Sequence, residues 1–355
     1  MMKIKKYHHP RAPLSLAVLL ALSLRACSAA PLSLICIGDW GGDSDAEPTT
    51  PAQFAAARGM AATADALGAE AVLLLGDNFY THGVSTNTSS RFQDTFEAVY
   101  PPSAFKQLPF YVVAGNHDHR GNVQAQIDYH GSPRWHFPTL YYTLSWSFTS
   151  SSGADRTVDV IMIDTVSLAG LCLAEEEYPG CPLEFADGAD GNEDQWAWLA
   201  QQLNASTADF LWIAGHYPIY SVGNDGTTTV LVQRLLPLLR LAEGHYISGH
   251  DHMLEHIESD GVNMFVTGPG RECCYDATHN DTVPADDIKY MISGPNGQGP
   301  SVGQKPTTDM LSGFSSLEFD DEVATTFYKE DGTVLYRAPP IPPRSAASKR
   351  SSLKI

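Results

Sequence analysis

The chain has 355 residues, 43% of them hydrophobic, enough to bury the core of one large domain or two small ones. Ten of its 22 Lys and Arg lie in residues 1–25 and 337–355 and none of its 41 Asp and Glu does, which leaves 12 basic against 41 acidic residues between them. So acidic a surface repels polyanions, which argues against nucleic-acid and anionic-membrane partners and means that any phosphate-binding function needs a local island of positive charge.

Lys3, Lys5, Lys6 and Arg11 form a positive start, residues 14–24 an apolar stretch, and Ser28-Ala29-Ala30 a small-residue exit. That stretch is short for a bilayer span. Residues 1–30 therefore read as a removed secretory signal rather than an anchor, consistent with a secreted, vacuolar or lysosomal destination and with no stable membrane insertion. Strands are predicted at 32–37, 71–75, 110–114, 158–163, 210–214, 246–248 and 263–266. Helices are predicted at 52–67, 91–99, 194–203 and 230–241, the last with Pro237 as a kink. Alternating strands and helices predict one α/β domain over 31–336, built on a mostly parallel buried sheet covered by helices. From 301 to 336 the pattern turns to shorter alternating strands, such as 315–319 and 324–328, suggesting a second sheet edge. The loop 167–192 is long enough for a lid and equally compatible with a tolerated surface insertion. Residues 337–355, with four prolines and five basic residues but no acid, read as a disordered basic tail.

Cysteine use is modest. Cys27 falls within the signal, and Cys36 reads as a small buried residue of the first strand. Cys172 and Cys181 flank an acidic loop and could pair in a secreted chain, whereas the adjacent Cys273 and Cys274 are not expected to pair with each other. Sequons at Asn87, Asn204 and Asn280 fit a glycoprotein on an extracellular route.

Five glycine-led motifs carry the chemistry: GDWGG at 38–42, GDNFY at 76–80, GNHD at 115–118, GHYP at 215–218 and GHDH at 249–252. Asp39, Asp77 and Asn116 close the first three strands, and His216 follows the strand at 210–214. His250 and His252 are two apart, so in extended chain they project to one side and Asp251 to the other. A single Gly-Asp after a strand is usually only a turn. Five such motifs in order point to a dinuclear metal site at the carboxyl ends of the strands, with each glycine allowing a tight turn and close backbone approach.

This set resembles the purple acid phosphatases of the metallophosphoesterase superfamily, and is most similar to their small animal type, the tartrate-resistant acid phosphatases. The resemblance runs from about residue 34 to 319 and includes RFQDTF at 91–96, GNVQAQI at 121–127 and DTV at 164–166. It implies a four-layer α/β/β/α sandwich. It further implies Fe(III) held by Asp39, Tyr80 and His252, a divalent Fe, Zn or Mn held by Asn116, His216 and His250, and Asp77 bridging the two. Ligand chemistry agrees, since phenolate and carboxylate suit a hard trivalent ion while imidazole and amide oxygen suit a divalent one. Tyr80 is the discriminating residue, because the Ser/Thr protein phosphatases carry Asp-Arg-Gly after their second Asp and end the third motif in Glu. The implied reaction is hydrolysis of small phosphate monoesters by metal-bound hydroxide, with His117 orienting the phosphate or protonating the leaving group. One departure stands out: nine residues after the GHYP histidine the animal enzymes have a second substrate-facing histidine, and here the position is Asp225. Asp225 could substitute as a proton donor, leave His117 to act alone, or only form a turn. His82, His119, His130, His136, His245, His256 and His279 receive no catalytic assignment, His119 being placed to support a ligand. The alternatives are another metallophosphoesterase activity on phosphodiesters or nucleotides, and an iron-binding or redox protein with incidental hydrolysis.

Overall fold

Alternation in the first strand sets the architecture. Leu32–Ile37 is buried at every position, with Leu32, Leu34 and Cys36 entering one apolar core and Ile35 and Ile37 another. A strand covered on both faces belongs to an inner layer. The computed structural model describes residues 27–28, 30–170, 192–294, 310–346 and 348–350. Most of the predicted signal, the Cys172–Cys181 pair and most of the 167–192 loop lie outside the described residues.

Two mixed sheets stack face to face. In spatial order the seven-stranded sheet runs Val334–Arg337, Val323–Lys329, Gly313–Phe319, Leu32–Ile37, Ala71–Leu74, Phe110–Val112 and Trp135–His136. Its last four strands are parallel and its first three antiparallel. The eight-stranded sheet runs Cys27–Ser28, Tyr142–Thr149, Asp155–Met162, Phe210–Ala214, His245–Ser248, Val262–Thr267, Leu254–Ser259 and Ile288–Ile292. Its middle four, from Asp155–Met162 to Val262–Thr267, are parallel, with antiparallel pairs on both sides.

Three apolar cores separate the layers. Val158, Val160, Met162, Phe210 and Trp212 meet Leu32, Leu34 and Leu317 between the sheets. Outside the first sheet, Ala56, Met60 and Ala64 of the helix Pro51–Leu67 pack on Ile35, Ile37, Val72 and Leu74. Outside the second, Trp196 and Leu199 of Glu193–Ala205 and Leu231, Leu235 and Leu239 of Thr229–Ala242 cover Ile161, Leu211 and Ile213. The result is the expected α/β/β/α sandwich.

Four expectations change. The mostly parallel sheet expected from the alternation of strands and helices is mixed, and so is the sheet stacked on it. The strands at Gly313–Phe319 and Val323–Lys329 are not the edge of a second sheet: they extend the first one, pairing antiparallel with Leu32–Ile37. The described part of the tail is packed rather than disordered. Ile341 and Val323 exchange backbone hydrogen bonds of 2.9 Å, and Arg344, 7% exposed, donates to Ala242 O at 2.8 Å and Ala208 O at 3.2 Å. Composition counted unpaired cations there, but the fold supplies partners for Arg344 and Lys349, the latter meeting Asp209 at 2.7 Å. Finally, Cys273 and Cys274 are joined to each other by a disulfide, against expectation.

Candidate metal centre

The parallel strands of both sheets end along one rim, and backbone hydrogen bonds lock their exits together. Gly38 N donates to Thr267 O at 2.8 Å across the sheets, Asp39 N to Gly76 O at 3.0 Å, and Gly249 N to His216 O at 3.1 Å. The glycines permit this crowding. Gly76 sits at φ +91°, where a Cβ would lie 2.6 Å from His216 Nδ1, and a Cβ on Gly115 would lie 2.2 Å from Asp77 Oδ1. Asp39 (φ 56°), Asp77 (φ 53°) and His250 (φ 76°) are three of the seven non-glycine residues with positive φ among those described. Left-handed backbone is costly for such residues, and its concentration here marks a site whose side-chain directions the surroundings impose.

Two groups of side chains result, joined by Asp77. In one, Tyr80 Oη donates to Asp39 Oδ1 at 3.0 Å and lies 3.0 Å from His252 Nε2. In the other, His216 Nε2 lies 2.9 Å from Asn116 Oδ1, and the His216 and His250 rings are 5.0 Å apart. Asp77 Oδ1 is 3.4 Å from His216 Nε2, and one ligand atom from each of Asp39, Asp77 and His216 falls within 4.8 Å of the others. His250 and His252 do not converge as extended chain. The segment bends after Ser248 with His250 left-handed, and His250 N donates to Asp39 Oδ2 at 2.7 Å. Asp251 does point away, accepting from Asp225 N at 3.0 Å and Gly226 N at 3.2 Å.

These residues fit a pair of cations. Around an ion with bonds of about 2.1 Å, adjacent ligand atoms sit roughly 3 Å apart, the spacing of Tyr80 from Asp39 and His252 and of His216 from Asn116. Tyr80, Asp77, Asp39, His216 and His252 are all at most 3% exposed. Burial, then Asp39 and Asp77, push the Tyr80 phenol far above its usual range, so its own surroundings offer no positive charge sufficient to ionise it. Burial pulls His252 down, but Asp39 and Glu272 outweigh it and hold the imidazole up to about 9. Burial likewise raises Asp77, yet His216, His117 and His250 leave its carboxyl well below the ordinary range. His216 donates from Nδ1 to Leu75 O at 2.9 Å, which aims Nε2 at Asn116.

His117 leans over this pair, its side chain 17% exposed, with Nε2 3.8 Å from Asp77 Oδ2 and its ring 4.3 Å from that of Tyr80. Burial and the neighbouring Arg120 lower its pKa against the pull of Asp77. Asp225 is exposed, yet partial desolvation followed by Asp251 raises its carboxyl to about 7, and it is close enough to Asp39 and Asp77 to feel both. It is thus not a remote turn residue.

Several residues here act around the site in ways the sequence did not assign, although Asp118 and Arg91 lie in stretches quoted above. Arg120 Nη1 lies 3.0 Å from His117 Nδ1, a cation where the acidic chain needs one. Asp118, fully buried, accepts from Asn78 N, Phe79 N, Gly115 N and Gln126 Nε2, tying two of the glycine-led turns together. It stands inside a recognised motif, and only its lack of a ligand role hid it. Arg91 donates to Tyr80 O at 2.7 Å and Gly41 O at 2.6 Å. His119 binds Asp164 at 3.1 Å rather than any predicted ligand.

Comparison with known proteins agrees with this architecture. Residues 32–254 match the family model for calcineurin-like phosphoesterase. Tartrate-resistant acid phosphatase type 5 of Rattus norvegicus is 35% identical over 331 residues, 91% of this chain and 95% of its own, and that of Homo sapiens is 34% identical over 330. Purple acid phosphatase 7 of Arabidopsis thaliana is 30% identical over 333 residues, 90% of this chain and 87% of its own. Among solved structures, a Plasmodium protein described as GAP50, the anchor in the inner membrane complex, superimposes with a TM-score of 0.69 at 26% identity, covering 90% of both chains. By these matches the chain belongs to the calcineurin-like phosphoesterase family and, within it, to the purple acid phosphatases.

Proposed function

We propose that this protein is an acid phosphatase that hydrolyses small phosphate monoesters at a centre of Fe(III) and divalent Fe, Zn or Mn, and that it is secreted or delivered to a vacuole or lysosome. The observation that carries the reading is Tyr80, whose buried oxygen is 3.0 Å from both Asp39 Oδ1 and His252 Nε2. Asp39, Tyr80 and His252 would hold the trivalent ion, Asn116, His216 and His250 the divalent one, and Asp77 both. When bound, the two cations would polarise the ester and activate water for in-line attack on phosphorus.

The protein's own groups do the rest. His117 donates from Nδ1 to Thr81 O at 2.8 Å, which leaves Nε2 free to orient a phosphate oxygen and, when the ring is doubly protonated at acid pH, to hand its Nε2 proton to the departing alkoxide. Arg120 beside it supplies positive charge for an anionic substrate. Asp225, whose raised carboxyl keeps a proton at mildly acidic pH, is the second candidate donor. Among the described residues no helix is long and apolar enough to cross a membrane.

The test is metal content and visible absorption of the purified protein, beside hydrolysis of an aryl phosphate and a bis-aryl phosphate. We expect paired transition ions, a tyrosinate band abolished in Tyr80→Phe, and monoester turnover well above diester turnover. Faster diester turnover moves the assignment to a phosphodiesterase. The likeness to a structural anchor motivates a second reading, in which fold and metal serve binding, and a coloured, metal-loaded preparation that releases no phosphate would favour it.

A further inference from the structure

One stretch outside the five glycine-led motifs closes over the Asp39–Tyr80–His252 group. Residues 271–275 follow Gly268 and Gly270, where a Cβ would lie 2.1 Å from Asp251 O and 2.3 Å from Gly38 O respectively, so their backbone is pressed against two of the ligand turns. The Arg271 guanidinium sits 4.3 Å from the centre of the Tyr80 ring. Glu272 Oε1 lies 3.2 Å from His252 Nδ1. Tyr275 stacks on the His252 ring at 4.3 Å and 14°, and its backbone N donates to His252 O at 3.1 Å.

These contacts are held in place. Arg271 pairs with Asp43, lies 3.8 Å from Glu272 through Nε, and accepts on its carbonyl from Thr50 Oγ1 at 2.8 Å. Its side chain is 13% exposed, so the guanidinium is not a solvated surface charge that happens to pass the ring. Three side chains from five consecutive residues thus address the two aromatic members of one candidate metal-binding group. None of them contributes a ligand.

We propose that Arg271, Glu272 and Tyr275 are positioning residues that tune the Tyr80–His252 side of the centre toward its cation, an inference that rests on the metal-centre reading above. Absorption by a tyrosinate–iron pair moves negative charge from the ring toward the metal. A guanidinium over the ring face opposes that movement, because the ring becomes less negative beside a positive charge. Arg271 therefore raises the energy of the transition. The Glu272 carboxylate, 3.2 Å from His252 Nδ1, pairs with that side of the imidazole and favours Nε2 facing Tyr80 and Asp39, while Tyr275 stacks the ring in that orientation. Outer partners of this kind are typically worth about 10–100-fold in metal affinity.

The experiment uses the full chain loaded with iron and compares wild type with Arg271→Met, Arg271→Lys and Glu272→Gln. The readouts are the position of the visible band and the chelator concentration that removes half the iron. Arg271→Met should shift the band to longer wavelength. Arg271→Lys, which keeps the charge without the flat contact, should shift it the same way by less. Glu272→Gln should lose iron at about tenfold less chelator. A coloured wild type with both Arg271 variants at its wavelength would reduce Arg271 to packing, and unchanged iron retention in Glu272→Gln would remove Glu272. A colourless wild type with no bound iron would instead defeat the metal-centre reading, and this inference with it.

Discussion

Arg91 offers the most informative perturbation of the scaffold beneath the site. Its guanidinium is 2% exposed and donates to Tyr80 O at 2.7 Å, Gly41 O at 2.6 Å and Thr95 Oγ1 at 2.8 Å. A fourth partner, Asp45, is 90% exposed and contributes little. Hydrogen bonds from a charged group are worth about 1.5–3 kcal/mol each, but their sum overstates the loss. Removing the side chain also removes the cost of burying its charge, and Gly41 O keeps its bond from Tyr80 N at 3.1 Å. Arg91→Ala should therefore cost about 3–4 kcal/mol, and Arg91→Lys roughly half, since one ammonium cannot serve acceptors on two loops and a helix. Both carbonyls lie in the turns that carry Asp39 and Tyr80, so the variant should also retain less metal. Denaturant unfolding with metal analysis measures both effects. An alanine variant with the wild-type midpoint, slope and metal content would refute the claim that this buried cation holds the turns.

Two further outcomes follow from the geometry. If Asp225 supplies the leaving-group proton it must be protonated, so activity should fall as pH rises through its pKa, near 7 before any bound cation lowers it. Asp225→Asn should then lower kcat at acid pH and flatten that fall, whereas an unchanged pH–rate profile would take Asp225 out of the mechanism. Arg344→Ala should destabilise the fold by about 1–3 kcal/mol, because it strips donors from the carbonyls of Ala242, Ala208 and Ser206, while leaving kcat unchanged. A denaturation midpoint equal to wild type would show that the tail adds nothing to the second sheet and its helices.

Legibility tracked how local each cause was. The strands Leu32–Ile37 and Phe210–Ala214 match their expected bounds to the residue, since largely apolar runs ended by a glycine leave few alternatives. The strand Tyr142–Thr149 was missed because only Trp146 and Phe148 enter the inter-sheet core fully while its other positions are half-buried or polar. The segment 91–99 was placed as a helix, but its core, Phe92–Glu97, is a π-helix whose turn is widened around buried Phe92, Thr95 and Phe96. Arg271, Glu272 and Tyr275 were invisible, because charged and aromatic residues past a strand look like any solvated loop until the site they cover is known.

By itself the chain's order of residues named the candidate metal ligands and placed the glycine-led motifs that carry them after strands, since ligand type and glycine placement are written in five contiguous motifs. Only the tertiary structure decided which of them share a neighbour. The Tyr80–His252 contact joins residues 172 positions apart that follow strands of different sheets, so it exists only once the two sheets pack. His250 reaches Asp39 through a left-handed bend rather than the extended chain its spacing suggested. Sequence fixes local preference because backbone sterics act over a few residues. The meeting of distant groups is set by cores that close only when every layer is in place.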